Sequence, residues 1–163
     1  MRILDILKAM SDERFLAIYE GLAQQGFGPL DGEVAKAMKF RPQAIRKLPI
    51  EKRARKARAI LEHSANAQMT YELFGSYLVR EKKDVVTGFL DAVEIPHEEG
   101  MISVDLAEHE PSTEKVKKAL KTLDEEHDAD DVTLYLALCA EHWPHNETIQ
   151  KQLEKRTAQK AKS

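Results

Sequence analysis

One cysteine, one tryptophan and seven glycines are all that these 163 residues hold of three types on which many functions depend. A lone Cys139 cannot close an internal disulfide framework, which fits a chain kept in a reducing compartment. The glycines build no phosphate-cradling loop, because Gly26 and Gly28 run into Pro29 and follow no strand. Neither Gly-x-Ser-x-Gly nor His-Glu-x-x-His occurs, so no catalytic residue is nominated. Long apolar runs are missing too. The longest, Val132 to Ala140 with Thr133 inside it, falls well short of the roughly 20 residues that span a bilayer. The opening Met1-Arg2-Ile3-Leu4-Asp5 sets an acid in its apolar stretch and is not followed by a cleavage site. A cytoplasmic location without membrane attachment is therefore expected.

What the chain has in quantity is charge, and the charge is segregated. Between Lys36 and Arg58 ten bases stand against one acid, Glu51. Between Glu81 and Asp131 sixteen acids stand against six bases. The tail from residue 151 to 163 is basic again, with Lys151, Lys155, Arg156, Lys160 and Lys162. Such segregation marks either a polyanion-binding face or two faces that attract each other within one fold.

Apolar spacing is helical almost throughout. Ser11 suits the N-cap of a helix from Asp12 to Gln25 that stops at Gly26. Asp31 suits the cap of a short helix to about Lys39. Pro42 opens another short helix, and Pro49 the longer one to about Ser64. Residues 66–80 and 84–95 read as two antiparallel helices. Gly75 and Gly88 inside them call for close helix packing, since each otherwise costs about 1 kcal/mol. Met101 to Leu106 alternates in polarity but lacks a strand partner, so it reads as an extended connector. Helices from Ser112 or Thr113 to Glu126, from Asp130 to Trp143, and from Asn146 onward complete the chain. That from Asp130 is apolar almost all round, which marks a buried central helix. The expectation is one all-α domain over 1–163, an irregular bundle of about eight or nine helices with its core in 66–143.

The segment Glu33-Val34-Ala35-Lys36-Ala37-Met38-Lys39-Phe40-Arg41-Pro42-Gln43-Ala44-Ile45-Arg46-Lys47-Leu48 resembles the helix-turn-helix pattern of DNA-binding proteins. The likeness covers these sixteen residues. Val34 and Met38 would form the inner face of the first helix, with small Ala35 permitting a close crossing. Phe40 would plug the turn, and Ile45 and Leu48 would anchor the second helix. The resemblance implies that Arg41, Gln43, Arg46 and Lys47 face phosphates or base edges. Two residues depart from the pattern: Lys39 holds the usual glycine position, and Pro49 cuts the second helix short. The next helix adds Lys52, Arg53, Arg55, Lys56 and Arg58, with no aromatic residue interleaved.

Cys139, His142 and His145 fall at three-residue spacing, but Pro144 interrupts the helix that would align them. His97-Glu98-Glu99 reads as a solvated turn. The carboxylates of Asp124 to Asp131 lack the glycine and terminal glutamate of a calcium loop. No metal or cofactor is expected. The leading functional expectation is a non-enzymatic binding or adaptor protein, its partner another protein or a second copy of itself. The alternative is nucleic-acid binding through residues 33–58. Exposure of the basic face decides between them, because the same charges could instead pair with acids of 94–110 or 124–131.

Overall fold

A computed structural model describes residues 1–26, 28 and 30–162, without the side chains of Pro42 and Ala161. The chain is all-α: 73% is helical, in ten helices, with no strand among the described residues. The helices are α1 (Ile3–Ala9), α2 (Asp12–Gln24), α3 (Asp31–Met38), α4 (Pro42–Ile45) and α5 (Ile50–His63). They continue with α6 (Gln68–Glu81), α7 (Lys83–Ala92), α8 (Thr113–Glu126), α9 (Ala129–His142) and α10 (Glu147–Lys162). The candidate strand is an extended connector that ends in one 3₁₀ turn, Leu106–His109. Its sole ladder contact is an isolated bridge between Glu98 and Met101.

The chain divides into two compact units. One is Leu7–Tyr77. It carries twelve lysines and arginines against eight acids, a formal charge of +4. The other joins Met1–Ile6 to Leu78–Ser163, with thirteen bases against twenty acids, a formal charge of −7. We call them the basic and the acidic unit.

The acidic unit is built on α9. Nine of its fourteen residues are buried, from Asp131 to Ala140 with Thr133 excepted, so the apolar run seen in the sequence is a helix surrounded by α7, α8 and α10. Val85, Val86, Phe89 and Leu90 face α8 and α9, with Phe89 edge-on to Tyr135 at 5.3 Å between ring centres. Gly88 lies close to α8: a Cβ on it would stand 3.1 Å from Leu123 Cδ2, so that side chain would have to shift by a few tenths of an ångström. Local caps mark the ends. The side chains of Ser112, Asp128 and Asn146 each accept a backbone N–H of the first turn they precede. Trp143 Nε1 donates to the Leu106 carbonyl at 2.7 Å and so ties down the connector.

Several acids of this unit are paired with its own bases. Lys115 pairs with Glu94, Lys82 with Asp131, Lys83 with Glu99, Arg156 with Asp124 and Lys160 with Asp130. Arg2 and the Ile3 N–H both bind Glu141.

The basic unit is built on α2 and α5. Phe15, Ile18, Tyr19 and Leu22 of α2 pack toward Ala54, Ala57 and Leu61 of α5, and α3 lies against α5. Ser11 caps α2 as the sequence suggests, its hydroxyl accepting the Arg14 N–H. Asp31 does not cap α3. It lies inside the first turn, Leu30 holds the cap position, and the Asp31 carboxylate turns to Arg53 instead.

Candidate nucleic-acid interface

The helix-turn-helix-like segment is realised as α3, a turn and α4. Lys39 adopts the left-handed conformation that the pattern gives to glycine, with φ 58° and ψ 34°. Two hydrogen bonds hold it there. Phe40 N donates to Ala35 O at 2.9 Å and Lys39 N to Lys36 O at 3.3 Å, the six-to-one and five-to-two pair that ends a helix on a left-handed residue. Arg41 is extended, which Pro42 after it demands, and α4 follows. Val34, Ala35 and Ile45 are buried, as the two-helix packing requires.

Two features depart from the DNA-binding pattern. First, α4 is a single turn of four residues, about 6 Å long at 1.5 Å per residue. Its chain turns away through Arg46, Lys47 and Leu48 before Pro49 opens the approach to α5. A recognition helix that lies along a major groove is therefore missing from this position. Second, Phe40 does not plug the turn. It is 46% exposed. The residue that meets it in this type of helix end is Ala35, whose methyl group is too small to cover a phenyl ring.

The nominated residues separate into two groups. Arg41, Gln43, Arg46, Lys47, Lys52 and Arg55 are exposed, and Lys56 is half-exposed. Lys36 and Lys39, counted in the charge but not nominated from sequence, are exposed as well. Among the described residues, none of these eight bases forms an ion pair.

Arg53 and Arg58 behave differently. The Arg53 side chain is only 11% exposed, holds Asp31 at 3.2 Å and lies over the Tyr19 ring at 5.9 Å. Its Nε is buried without a partner among the described residues. Burial raises the Tyr19 hydroxyl above its ordinary pKa, and the Asp31 charge adds to the effect, with Arg53 opposing. Arg58, 12% exposed, binds Glu62, Asp12 and the carbonyls of Leu7 and Met10, and covers the Phe15 ring at 5.7 Å. These two guanidiniums are internal parts of the basic unit.

A helical wheel accounts for the division. At 100° per residue, the centre of Ala54, Ala57 and Leu61 defines the inward direction of α5. Arg53 and Arg58 fall about 75° and 65° to either side of it, at the border of the buried face. Arg55, Lys56 and Lys52 lie beyond about 120° and point outward. Long arginine stems at a border can lie along apolar surface while their heads reach polar groups.

The other sequence candidates do not come together as a site. No group of three histidines, cysteines or acids placed to hold a metal ion occurs among the described residues. Cys139 is buried in α9, and burial pushes its thiol up to about 12. His142 ends that helix, its pKa lowered by burial, while His145 lies past the helix end. His97 is engaged on both ring nitrogens, Nε2 with Asp91 at 2.6 Å and Nδ1 with the Gly100 N–H at 3.0 Å. It therefore secures the turn after α7. No helix among the described residues is long and apolar enough to cross a membrane.

Comparison with protein-family models, with curated proteins and with solved structures found no match to this chain.

Proposed function

We propose that the chain binds nucleic acid through the phosphate backbone, using the outward bases of the basic unit. The observation that carries this reading is the set of eight cations, Lys36, Lys39, Arg41, Arg46, Lys47, Lys52, Arg55 and Lys56, that have no ion pair among the described residues. Surface cations kept together and unneutralised are what a polyanion needs, because each one that meets a phosphate releases a condensed counterion. Four acids of the stretches that could have quenched them, Glu94, Asp124, Asp130 and Asp131, are engaged by Lys115, Arg156, Lys160 and Lys82. Gln43, exposed on α4, adds a hydrogen-bonding group to the same surface.

The adaptor reading has less to stand on. Large apolar side chains exposed among the described residues are Phe40, Val79 and Met101, from three separate segments. Single exposed apolar residues are ordinary on a protein surface and do not make a docking patch.

Fluorescence anisotropy with labelled oligonucleotides at 50 and 200 mM salt tests the proposal. If about four of the eight bases engage phosphates, affinity for duplex falls roughly 100-fold over that range. Reversing Arg46, Lys52 and Arg55 together to glutamate removes the binding while the circular dichroism spectrum stays unchanged. An absence of salt-sensitive binding to any nucleic acid at 50 mM salt refutes the reading and returns the adaptor function to first place.

A further inference from the structure

We infer that the nucleic acid taken by this surface is single-stranded, and that Phe40 is where a base stacks. The inference rests on the nucleic-acid reading above and narrows it.

A duplex reader and a single-strand binder need different parts. Reading a duplex takes an element that enters a groove, most often a helix of several turns. In the segment that resembles such a reader, α4 has one turn, and its Ile45 points into the core. The outward face of α5 offers Lys52, Arg55 and Lys56, which serve phosphates of either form. What tells the two ligands apart is an aromatic surface. Bases in a duplex are stacked on each other, whereas bases of a single strand stack on exposed rings.

Phe40 supplies such a ring, and its setting fits the role. It is the one aromatic among the large apolar side chains exposed in the described residues. Lys39 and Arg41 flank it, Lys36 precedes it by one helical turn, and Arg46 and Lys47 close the adjoining α4. A stacked base thus has cations on both sides for its neighbouring phosphates. The backbone under the ring is fixed by the two hydrogen bonds that end α3 on one side and by Pro42 on the other. Little ordering entropy is lost on binding, since the chain there is already held. Lys39 in the left-handed region points the same way. A non-glycine residue there is strained, and the turn it makes sets the next residue over Ala35, whose methyl group leaves the ring uncovered.

The experiment compares a single-stranded oligothymidine of about 20 nucleotides with a mixed-sequence duplex of the same length, long enough to fill one site. Polyglutamate serves as a polyanion control, and the proteins are the full chain and its Phe40→Ala, Phe40→Leu and Phe40→Trp variants. The expected result is a loss of about tenfold in single-strand affinity for Phe40→Ala, with Phe40→Trp retaining it. Phe40→Leu keeps apolar bulk without a ring face and falls with Phe40→Ala. Duplex affinity does not change. Phe40→Trp also adds an exposed indole to a chain whose single native tryptophan, Trp143, is buried, and the new emission is quenched by the single strand but not by the duplex.

If Phe40→Ala changes neither affinity, or lowers both alike, stacking is wrong. The nucleic-acid reading still stands provided that reversal of Arg46, Lys52 and Arg55 abolishes binding. If neither probe binds in a salt-sensitive way, or polyglutamate competes as well as the oligonucleotides do, the nucleic-acid reading fails and this inference falls with it.

Discussion

Replacing Arg58 by methionine separates an internal guanidinium from a surface one. Methionine keeps an unbranched apolar stem, so the change removes the charged head more than the packing. The head has four kinds of contact, and they differ in value. Its pairing with Asp12, which is 97% exposed, is worth almost nothing, as for other exposed pairs. The Glu62 pair within α5 adds about 0.3–0.5 kcal/mol. The Phe15 ring under the guanidinium adds about 1 kcal/mol, since the stem excludes water there. Most of the effect comes from the two backbone carbonyls, Leu7 O at 2.9 Å and Met10 O at 2.6 Å, which lie where α1 gives way to α2. Losing a charged donor to two part-buried acceptors costs about 2–3 kcal/mol. We expect Arg58→Met to destabilise the chain by about 3–4 kcal/mol, which moves the urea midpoint down by about 1.5–2 M for a slope near 2 kcal/mol/M. Arg58→Lys recovers less than half, because an ammonium cannot reach two carbonyls and a carboxylate in the geometry of a fork. Arg55→Met, on the outward face of the same helix, stays within about 0.5 kcal/mol of the parent. Urea unfolding followed by far-ultraviolet circular dichroism measures all three. A loss below about 1 kcal/mol for Arg58→Met would refute the division into internal and outward bases.

Three further predictions follow from other parts of the fold. Lys39→Gly relieves the left-handed backbone at φ 58° and raises stability by up to about 1 kcal/mol, while removing one cation lowers the salt dependence of nucleic-acid binding. Glu141 is pushed up by burial, but the Arg2 guanidinium and the Ile3 N–H outweigh this and hold it below its ordinary 4.5. Its folded pKa is depressed, so its contribution is complete above 4.5 and is lost as pH falls through the folded value. Glu141→Gln should therefore flatten the acid limb of a stability-against-pH curve and leave the neutral region with a constant offset. Cys139, with its thiol pushed up to about 12 in the middle of α9, should resist a thiol reagent at pH 8 until denaturant opens the acidic unit. Fast labelling of the native chain would show that α9 is not the closed centre of that unit.

Much of this architecture is written in local chemistry. The helix ends at Ser11, Ser112 and Asn146 could be placed from sequence because an oxygen-bearing side chain before an apolar-periodic run has one good use. The buried α9 was legible because its apolar positions leave almost no polar face. Asp31 was misplaced for a reason of the opposite kind. As a capping residue it had a good local role, but Arg53, twenty-two positions on, offers a charged partner that no local pattern reveals. Phe40 was misread because a resemblance supplied its role. The turn it follows is present, yet the partner position holds Ala35, and a methyl group cannot bury a phenyl ring.

The ten bases from Lys36 to Arg58 show where such reading stops and what extends it. Composition makes them one run of charge, and nothing in composition distinguishes a structural arginine from a ligand-facing one. Periodicity does, once the inward direction of α5 is known. Arg53 and Arg58 border the stripe of Ala54, Ala57 and Leu61, and the structure finds both with carboxylates and aromatic rings of the same unit. Arg55 and Lys56 are separated from them by one or two positions and face away. A charge reversal spread over the whole run therefore confuses two effects. At Arg53 it sets like charges against each other beside Asp31 and unfolds the unit, so a loss of binding there would say nothing about phosphates. Restricted to Arg46, Lys52 and Arg55, the same reversal leaves the internal pairs intact, and a loss of binding with retained helicity then reports on the surface alone.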